Sequence, residues 1–370
     1  MKKTLLITID FPPQTGGVAN YLANFSKNLP PDKIIVLANQ NVNAHHFDGR
    51  QNYKIMREQL FYKYLWPKWL KTFSLAKKII KKENIKQIVI SHILPMGYIT
   101  LMLKLPFIVI LHGYDIMNVQ KSSWKKYWAT QILKQARHII VNSHNTQSQV
   151  LKLGIKQNKI TILYPCPNIK SEQLNEHERQ IIKNELDLHH KKILLSVGRL
   201  TPRKGFDKVI EALPEVLKQI PDLIYIIVGN GSDKNRLEKL AEYLKVRGNL
   251  IIAEDIPNSN LSSFYDLANI FIMPARQIGE DIEGFGIVYL EANSFGKPVI
   301  AGKSGGVEDA VIDNQTGILV NPESVQEISQ AILKLFINPE LANKLGVQGK
   351  ERVMREFQWP KLIEKVKNLL

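Results

Sequence analysis

The chain has a single cysteine, Cys166, among 370 residues. No disulfide can form within it, which fits a reducing compartment. Long apolar runs are also missing. The longest, residues 98–111, is broken by Lys104 and Pro106 and cannot span a bilayer. The opening Met1-Lys2-Lys3 runs into a short apolar stretch over 5–9 that Asp10 ends. That is too short for a signal peptide and reads as a first buried strand. There is no low-complexity tract and no short-period repeat. Helix-turn-helix, RNA-recognition and zinc-finger patterns are absent as well.

Acidic residues are scarce in one half only. Residues 1–170 carry 25 lysines and arginines against six acids, whereas residues 171–370 carry 25 against 28. The net charge of +16 therefore belongs entirely to the first half. Such asymmetry suggests that this half meets an anionic partner: nucleic acid, a membrane or a phosphorylated acceptor. Residues 51–90 concentrate the pattern, with ten basic residues against two acids and Phe61, Tyr62, Tyr64, Trp66, Trp69 and Phe73 interleaved. Basic residues near anionic lipid and aromatic rings at the headgroup layer favour peripheral attachment to a membrane.

What is present is a double alternation. A length of 370 residues exceeds the size at which one hydrophobic core stops growing, so two domains are expected. Apolar runs at 4–9, 33–37, 87–91, 107–111, 138–141 and 160–163 read as strands, with amphipathic helices at 18–29, 69–82 and 124–135 between some of them. The Pro-containing stretch 164–176 reads as a linker. Strands then recur at 192–197, 223–228, 250–252, 270–273, 298–300 and 318–320, and a short amphipathic helix follows Trp359. Strands alternating with helices imply parallel sheets. The expectation is an α/β chain of two Rossmann-like, doubly wound domains: 1–167, 168–355, and a C-terminal helix over 356–370 packing back toward the first.

Ligands of open parallel sheets bind outside the carboxyl ends of the strands. The unusual residues of this chain fall there. After the first strand comes Pro12-Pro13-Gln14-Thr15-Gly16-Gly17, where Gly16 and Gly17 permit close backbone approach before a helix. After the strand at 107–111 comes His112-Gly113-Tyr114-Asp115. The strand at 192–197 leads into Gly198-Arg199-Leu200-Thr201-Pro202-Arg203-Lys204-Gly205-Phe206-Asp207, with three cations in six residues, suited to a diphosphate. The strand at 223–228 ends in Gly229-Asn230-Gly231. The richest block is Glu283-Gly284-Phe285-Gly286-Ile287-Val288-Tyr289-Leu290-Glu291. Read as one helix, it sets its two carboxylates about 12 Å apart along the axis. That exceeds the ~5–9.5 Å of a glycosidase pair and suits gripping two parts of one long ligand. Glu291 sits among apolar residues and needs a partner, for which a ribose diol would serve. Ser304-Gly305-Gly306 offers a second backbone cradle for phosphate.

Together, PPQTGG, GRLTPRKGFD, EGFGIVYLE and SGGVED, in this order along the chain, resemble retaining glycosyltransferases of family 4 with the GT-B fold. The stretch GEDIEGFGIVYLEA is similar to mannosyltransferases that act on phosphatidylinositol lipids and to related polysaccharide enzymes. The resemblance spans nearly the whole chain and implies two Rossmann-like domains facing a central cleft. It implies that Arg199 and Lys204 bind the donor diphosphate, Glu291 holds the ribose, and Glu283 lies near the donor sugar. Phe285, Gly286, Ile287 and Val288 then face the donor, with Gly229, Gly16 and Gly17 close to it or to the acceptor, and His112 near the C6 hydroxyl. One departure is Val307-Glu308-Asp309, where many relatives have Pro-Glu after the glycines and one further residue.

The expected reaction is hexose transfer (mannose, or glucose or N-acetylglucosamine type) from a GDP- or UDP-linked sugar to a lipid-linked or glycan acceptor in envelope polysaccharide or glycolipid synthesis. No Asp-x-Asp pair occurs. Asp281-Ile282-Glu283 is the nearest approach, so a metal-independent mechanism without cofactor is expected. The expected setting is the cytoplasm, at the inner face of an anionic membrane, with no nucleic acid as partner. The competing readings are a GT-B nucleotide-sugar epimerase, which needs no acceptor, and a basic nucleic-acid-binding protein.

Overall fold

Buried parallel strands need apolar residues on both faces, so they read as continuous Val/Ile/Leu runs rather than alternating ones. Thr-Leu-Leu-Ile-Thr, Phe-Ile-Val-Ile-Leu and Leu-Ile-Tyr-Ile-Ile-Val are such runs, and every residue of each is buried. A computed structural model describes residues 1–14, 16–169, 171, 174–257 and 259–370. It assembles these runs into two all-parallel sheets. Thr15 of the first loop, and 170, 172 and 173 of the expected linker, lie outside the described residues.

The first sheet contains β1 (Thr4–Thr8), β2 (Ile34–Asn39), β3 (Lys54–Glu58), β4 (Gln87–Ser91), β5 (Phe107–Leu111), β6 (His138–Val141) and β7 (Ile160–Ile162), in the spatial order β3-β2-β1-β4-β5-β6-β7. The second contains β8 (Lys192–Val197), β9 (Leu223–Val228), β10 (Leu250–Ala253), β11 (Ile270–Met273), β12 (Val299–Gly302) and β13 (Gly317–Val320), in the order β10-β9-β8-β11-β12-β13. The doubly wound α/β reading holds. The addition is β3, Lys-Ile-Met-Arg-Glu, whose ends are exposed and whose middle is only half-buried. It is an edge strand paired on one side by β2, and its charges hide it from a search for apolar runs.

The chain divides into two compact units, Met1–Pro165 with Gln358–Leu370, and Cys166–Phe357. In the first unit the helix Trp359–Lys367 packs on the helix Gly17–Lys27. The Tyr21 ring meets Trp359 at 5.2 Å, and the Lys2 N–H donates to the Leu370 carbonyl at 2.6 Å.

In the second unit the helix Phe206–Gln219 buries Phe206, Val209, Ile210, Leu213 and Val216, spaced at the helical period. Its first turn is tied down by Asp207, which is buried and accepts from Arg276 Nη2 at 2.7 Å. The turn into this helix requires glycine. Gly205 has φ of 75°, and a Cβ there would sit 2.2 Å from the Pro274 carbonyl oxygen. Backbone therefore meets backbone where the loop after β8 touches the end of β11.

Gly205→Ala combines left-handed strain with a clash that no side chain can relieve, and should cost about 2–5 kcal/mol. Gly154 has the same φ of 75° but open space around it, so Gly154→Ala should cost only about 1–2 kcal/mol. Urea denaturation of the two variants checks this, and equal losses would refute the clash.

Candidate active site

In a doubly wound sheet the crevice lies where the strand order reverses. In the second unit β9 and β11 flank β8, so that point lies between β8 and β11. The loops leaving those two strands converge on one carboxylate. Lys204 Nζ lies 2.6 Å from Glu283 Oε2, and Arg203 Nη1 lies 2.7 Å from the same oxygen. Arg203 Nε also reaches Asp281 Oδ1 at 3.0 Å. Asp281 is half exposed, but the Glu283 side chain is only 12% exposed. Burial alone would raise its pKa. The two cations outweigh burial and bring it down to about 2, so Glu283 is ionised at neutral pH.

The backbone of Glu283 is fixed too. Its carbonyl accepts from the Gly306 N–H at 2.9 Å, and a Cβ on Gly305 would lie 2.4 Å from that oxygen. In Ser304-Gly305-Gly306, expected as a phosphate cradle, the Gly306 amide is thus committed to positioning Glu283. Glu283 is also not helical. The helix runs over Ile287–Ser294 with Gly286 at its N-cap, at φ 88°. The left-handed glycine turns the chain just before the helix, so the 12 Å axial spacing from Glu291 does not apply.

Glu291 is buried in that helix. Tyr265 Oη donates to its Oε2 at 2.8 Å and the Asn168 N–H to its Oε1 at 3.3 Å. Burial pushes its pKa up against those two bonds. The partner expected from a ligand is thus supplied in part by the chain itself.

Arg199 is exposed and forms no ion pair with any described residue. Gly229 donates its N–H to the Ala253 carbonyl at 2.9 Å. Phe285 is buried, with its ring 6.0 Å from Phe357. Ile287 and Val288 are half-buried on the first helical turn, where amides lack intrahelical partners. Tyr289 anchors this turn by donating to the Met273 carbonyl at 2.7 Å.

The first unit has its own reversal point, between β1 and β4. Asp10 follows β1, His92 follows β4 and His112 follows β5. His92 Nε2 lies 3.0 Å from Asp10 Oδ2. Ser91 Oγ bridges His92 Nδ1 at 3.4 Å and His112 Nε2 at 3.2 Å. Burial lowers the pKa of His92, but the hydrogen bond to Asp10 and the charges of Asp115 and Asp10 carry it above its ordinary value. In turn His92 holds Asp10 low. Burial, reinforced by His92, pushes His112 down to about 3. His112 is thus a neutral imidazole beside a histidine whose pKa is raised. Asp115 Oδ1 accepts the His112 N–H at 3.1 Å, while Oδ2 is buried with no partner among the described residues. The Tyr21 ring stands edge-on to His112 at 5.2 Å. Gly16 caps the helix that begins at Gly17.

Asp10, His92 and Arg203 escaped the sequence reading as site residues. Arg203 was visible in the basic loop. Asp10 and His92 follow strands that were correctly found, but only the strand order makes them neighbours.

Two family models match. Residues 15–170 fit Glycosyltransferase Family 4, and residues 178–352 fit Glycosyl transferases group 1. The chain belongs to the glycosyltransferases. The glycosyltransferase is similar to the GDP-mannose-dependent alpha-(1-6)-phosphatidylinositol monomannoside mannosyltransferase of Mycolicibacterium smegmatis, at 28% identity over 96% of this chain and 94% of the relative. It is equally similar, at 28%, to the corresponding monoacylated-substrate mannosyltransferase of Corynebacterium glutamicum, over 100% of this chain and 98% of the relative. Among solved structures it resembles Anabaena HepE bound to UDP and glucose, with a TM-score of 0.83 and 17% identity over 100% of this chain and 99% of that one. Sucrose-phosphate synthase of Thermosynechococcus elongatus gives a TM-score of 0.81 at 21% identity, over 100% and 98%. These likenesses bear out the GT-B fold.

The charge arrangement at the first reversal point is testable by nitrogen NMR of the histidines. His112 should stay neutral down to about pH 4, and His92 should titrate above its ordinary 6.5. His92→Gln should raise the His112 pKa by removing the adjacent charge. Because the His92 pKa is raised on folding, the stability it contributes is full below 6.5 and fades as pH rises through the folded value. A wild-type His112 that titrates near 6.5 would overturn the arrangement.

Proposed function

We propose that this glycosyltransferase transfers a hexose, with retention at the anomeric carbon, from a nucleoside diphosphate sugar to a lipid-linked or glycan acceptor. Mannose from GDP-mannose is the favoured donor, because the mannosyltransferase relatives are named for it. The observation that carries the reading is the β8 loop. Arg199 there is exposed and forms no ion pair among the described residues, while Lys204 is held against an ionised Glu283 across the reversal point. In the reaction the bond from the sugar's C1 to the diphosphate oxygen breaks, and its electron pair stays on the diphosphate. The acceptor oxygen bonds to C1 and passes its proton to the freed diphosphate oxygen. Arg199 provides uncompensated charge for the departing diphosphate, and Lys204 shares itself between that group and Glu283. Glu283 and the amides of Phe285 and Gly286 position the sugar hydroxyls, with Ile287 and Val288 beside them. Glu291 takes the ribose, with Tyr265 fixing its carboxylate.

Gly229, Gly16 and Gly17 let backbone approach the ligands. The neutral His112 hydrogen-bonds the sugar's C6 hydroxyl without adding charge. Positive charge from Arg199 and Lys204 fills the place of a metal, so no metal or cofactor takes part. A lipid-linked acceptor, such as the phosphatidylinositol monomannoside for which the relatives are named, fits peripheral attachment to an anionic membrane from the cytoplasmic side. No helix of the described residues is long and apolar enough to cross one.

Thermal-shift screening of GDP, UDP, ADP and their sugars identifies the donor, since a ligand bound only by the folded state raises the melting temperature. GDP-mannose should give the largest shift, and no shift with any nucleotide would refute the reading. Arg199→Ala should cut transfer more than about tenfold with the fold intact, as the loss of one charge-assisted bond of about 1.5–3 kcal/mol requires. Near-normal transfer would remove Arg199 from the site. Transfer should also persist in saturating EDTA. Loss restored by Mg²⁺ or Mn²⁺ would make Asp281 and Glu283 candidate ligands.

A further inference from the structure

The first unit carries a composite aromatic surface that no single stretch of sequence displays. Of the aromatics in residues 51–90, Phe61, Trp69 and Phe73 pack against the core of this unit, so they are not available to a partner. Tyr64 and Trp66 are each 85% exposed, with Leu65 between them also exposed. A second exposed set comes from the start of the helix Ser123–Gln135, where Trp124 is 65% exposed and Tyr127 is exposed as well.

A chain of rings joins the two sets. Trp69 stacks on Tyr98 at 5.6 Å, Tyr98 meets Trp128 edge-on at 5.7 Å, and Trp128 touches both Trp124 and Tyr127 at 5.6 Å. The Trp69 end leads directly into the 64–66 tip. Met102 is exposed one turn beyond Tyr98 on the helix Met96–Leu103, on the same face as Tyr98.

The rim has one sign. Lys63, Lys68, Lys104, Lys121, Lys125 and Lys126 are all exposed, and residues 59–82 and 116–135 contain no acid.

The geometry points to this surface as the place where the protein docks on an anionic lipid bilayer. Exposed Trp and Tyr tips favour the headgroup layer, Leu65 and Met102 gain by entering the acyl boundary, and the lysine rim complements anionic lipid. The aliphatic tips favour lipid over nucleic acid, since bases stack on rings and gain little from Leu or Met. This deepens the proposal of a lipid-linked acceptor and rests on it for the biological setting alone.

The test is flotation of the full chain with phosphatidylcholine vesicles, with and without phosphatidylglycerol. Binding should require the anionic lipid and fall at high salt. Lys125→Ala and Lys126→Ala should each weaken partition about fivefold. Leu65→Ser/Trp66→Ser and Trp124→Ser/Tyr127→Ser should each abolish flotation, while the thermal shift given by the best nucleotide stays as in wild type. That unchanged shift shows the variants to be folded and separates failure of the patch from failure of the donor reading. Equal binding to both vesicle types, or unchanged flotation of both double variants, overturns the inference. So does a dimer that these variants break, or single-stranded DNA that displaces the protein from vesicles through the same residues. Each of those would assign the surface to another occupant.

Discussion

Everything in the second unit's site is arranged around one shared oxygen. Glu283 Oε2 is touched by both Lys204 and Arg203, at 2.6 and 2.7 Å. Such a cluster is costly to bury unless every member has a partner. Three loops have to arrive together for that to happen. The β8 loop brings the cations, the loop after β11 brings the carboxylate, and the loop after β12 clamps the carboxylate's backbone through Gly305 and Gly306. Removing Glu283 would strip Lys204 of this carboxylate and leave Arg203 with Asp281 alone. The cluster therefore orders the loops as much as it supplies charge, while Arg199, exposed on the same β8 loop, pairs with none of the described residues.

The first unit solves a different electrostatic problem with similar parts. It raises the pKa of one histidine by giving it Asp10, while burial, reinforced by that histidine, keeps the next one neutral. Ser91 touches both rings and can satisfy each with its single hydroxyl, as donor to one and acceptor from the other. Tyr21 stands edge-on to His112 and is itself met edge-on by Trp359. The environment that sets the imidazole's protonation therefore comes from four separate parts of the chain.

How much of this was legible beforehand follows from the range of the signals. Continuous Val/Ile/Leu runs mark buried parallel strands by local composition alone, so β1, β4, β5, β8 and β9 were visible. The edge strand β3 was not, because a half-buried strand of charged residues carries no such mark. Candidate residues stood out when they clustered in one loop, as Arg199 and Lys204 do with their glycines. The wrong helical phase of Glu283 came from extending a helix through Gly286, whose left-handed conformation stops it. Pairings such as Asp10 with His92, or Glu291 with Tyr265, depend on which strands and helices become neighbours. The aromatic patch shows the same limit: composition found the right region but not which rings face outward.

The division of the chain has a consequence for how the protein comes into being. The first unit is encoded on both sides of the second, since Gln358–Leu370 belongs with Met1–Pro165. During translation its sheet can form early. The face covered by Trp359, and the Lys2 and Gln87 groups that bond Leu370 and Leu369, must wait until the whole second unit has been made. The nascent N-terminal unit thus passes through a period with an apolar face uncovered beside His112. Its histidine pair acquires its final surroundings only after the second unit has been synthesised.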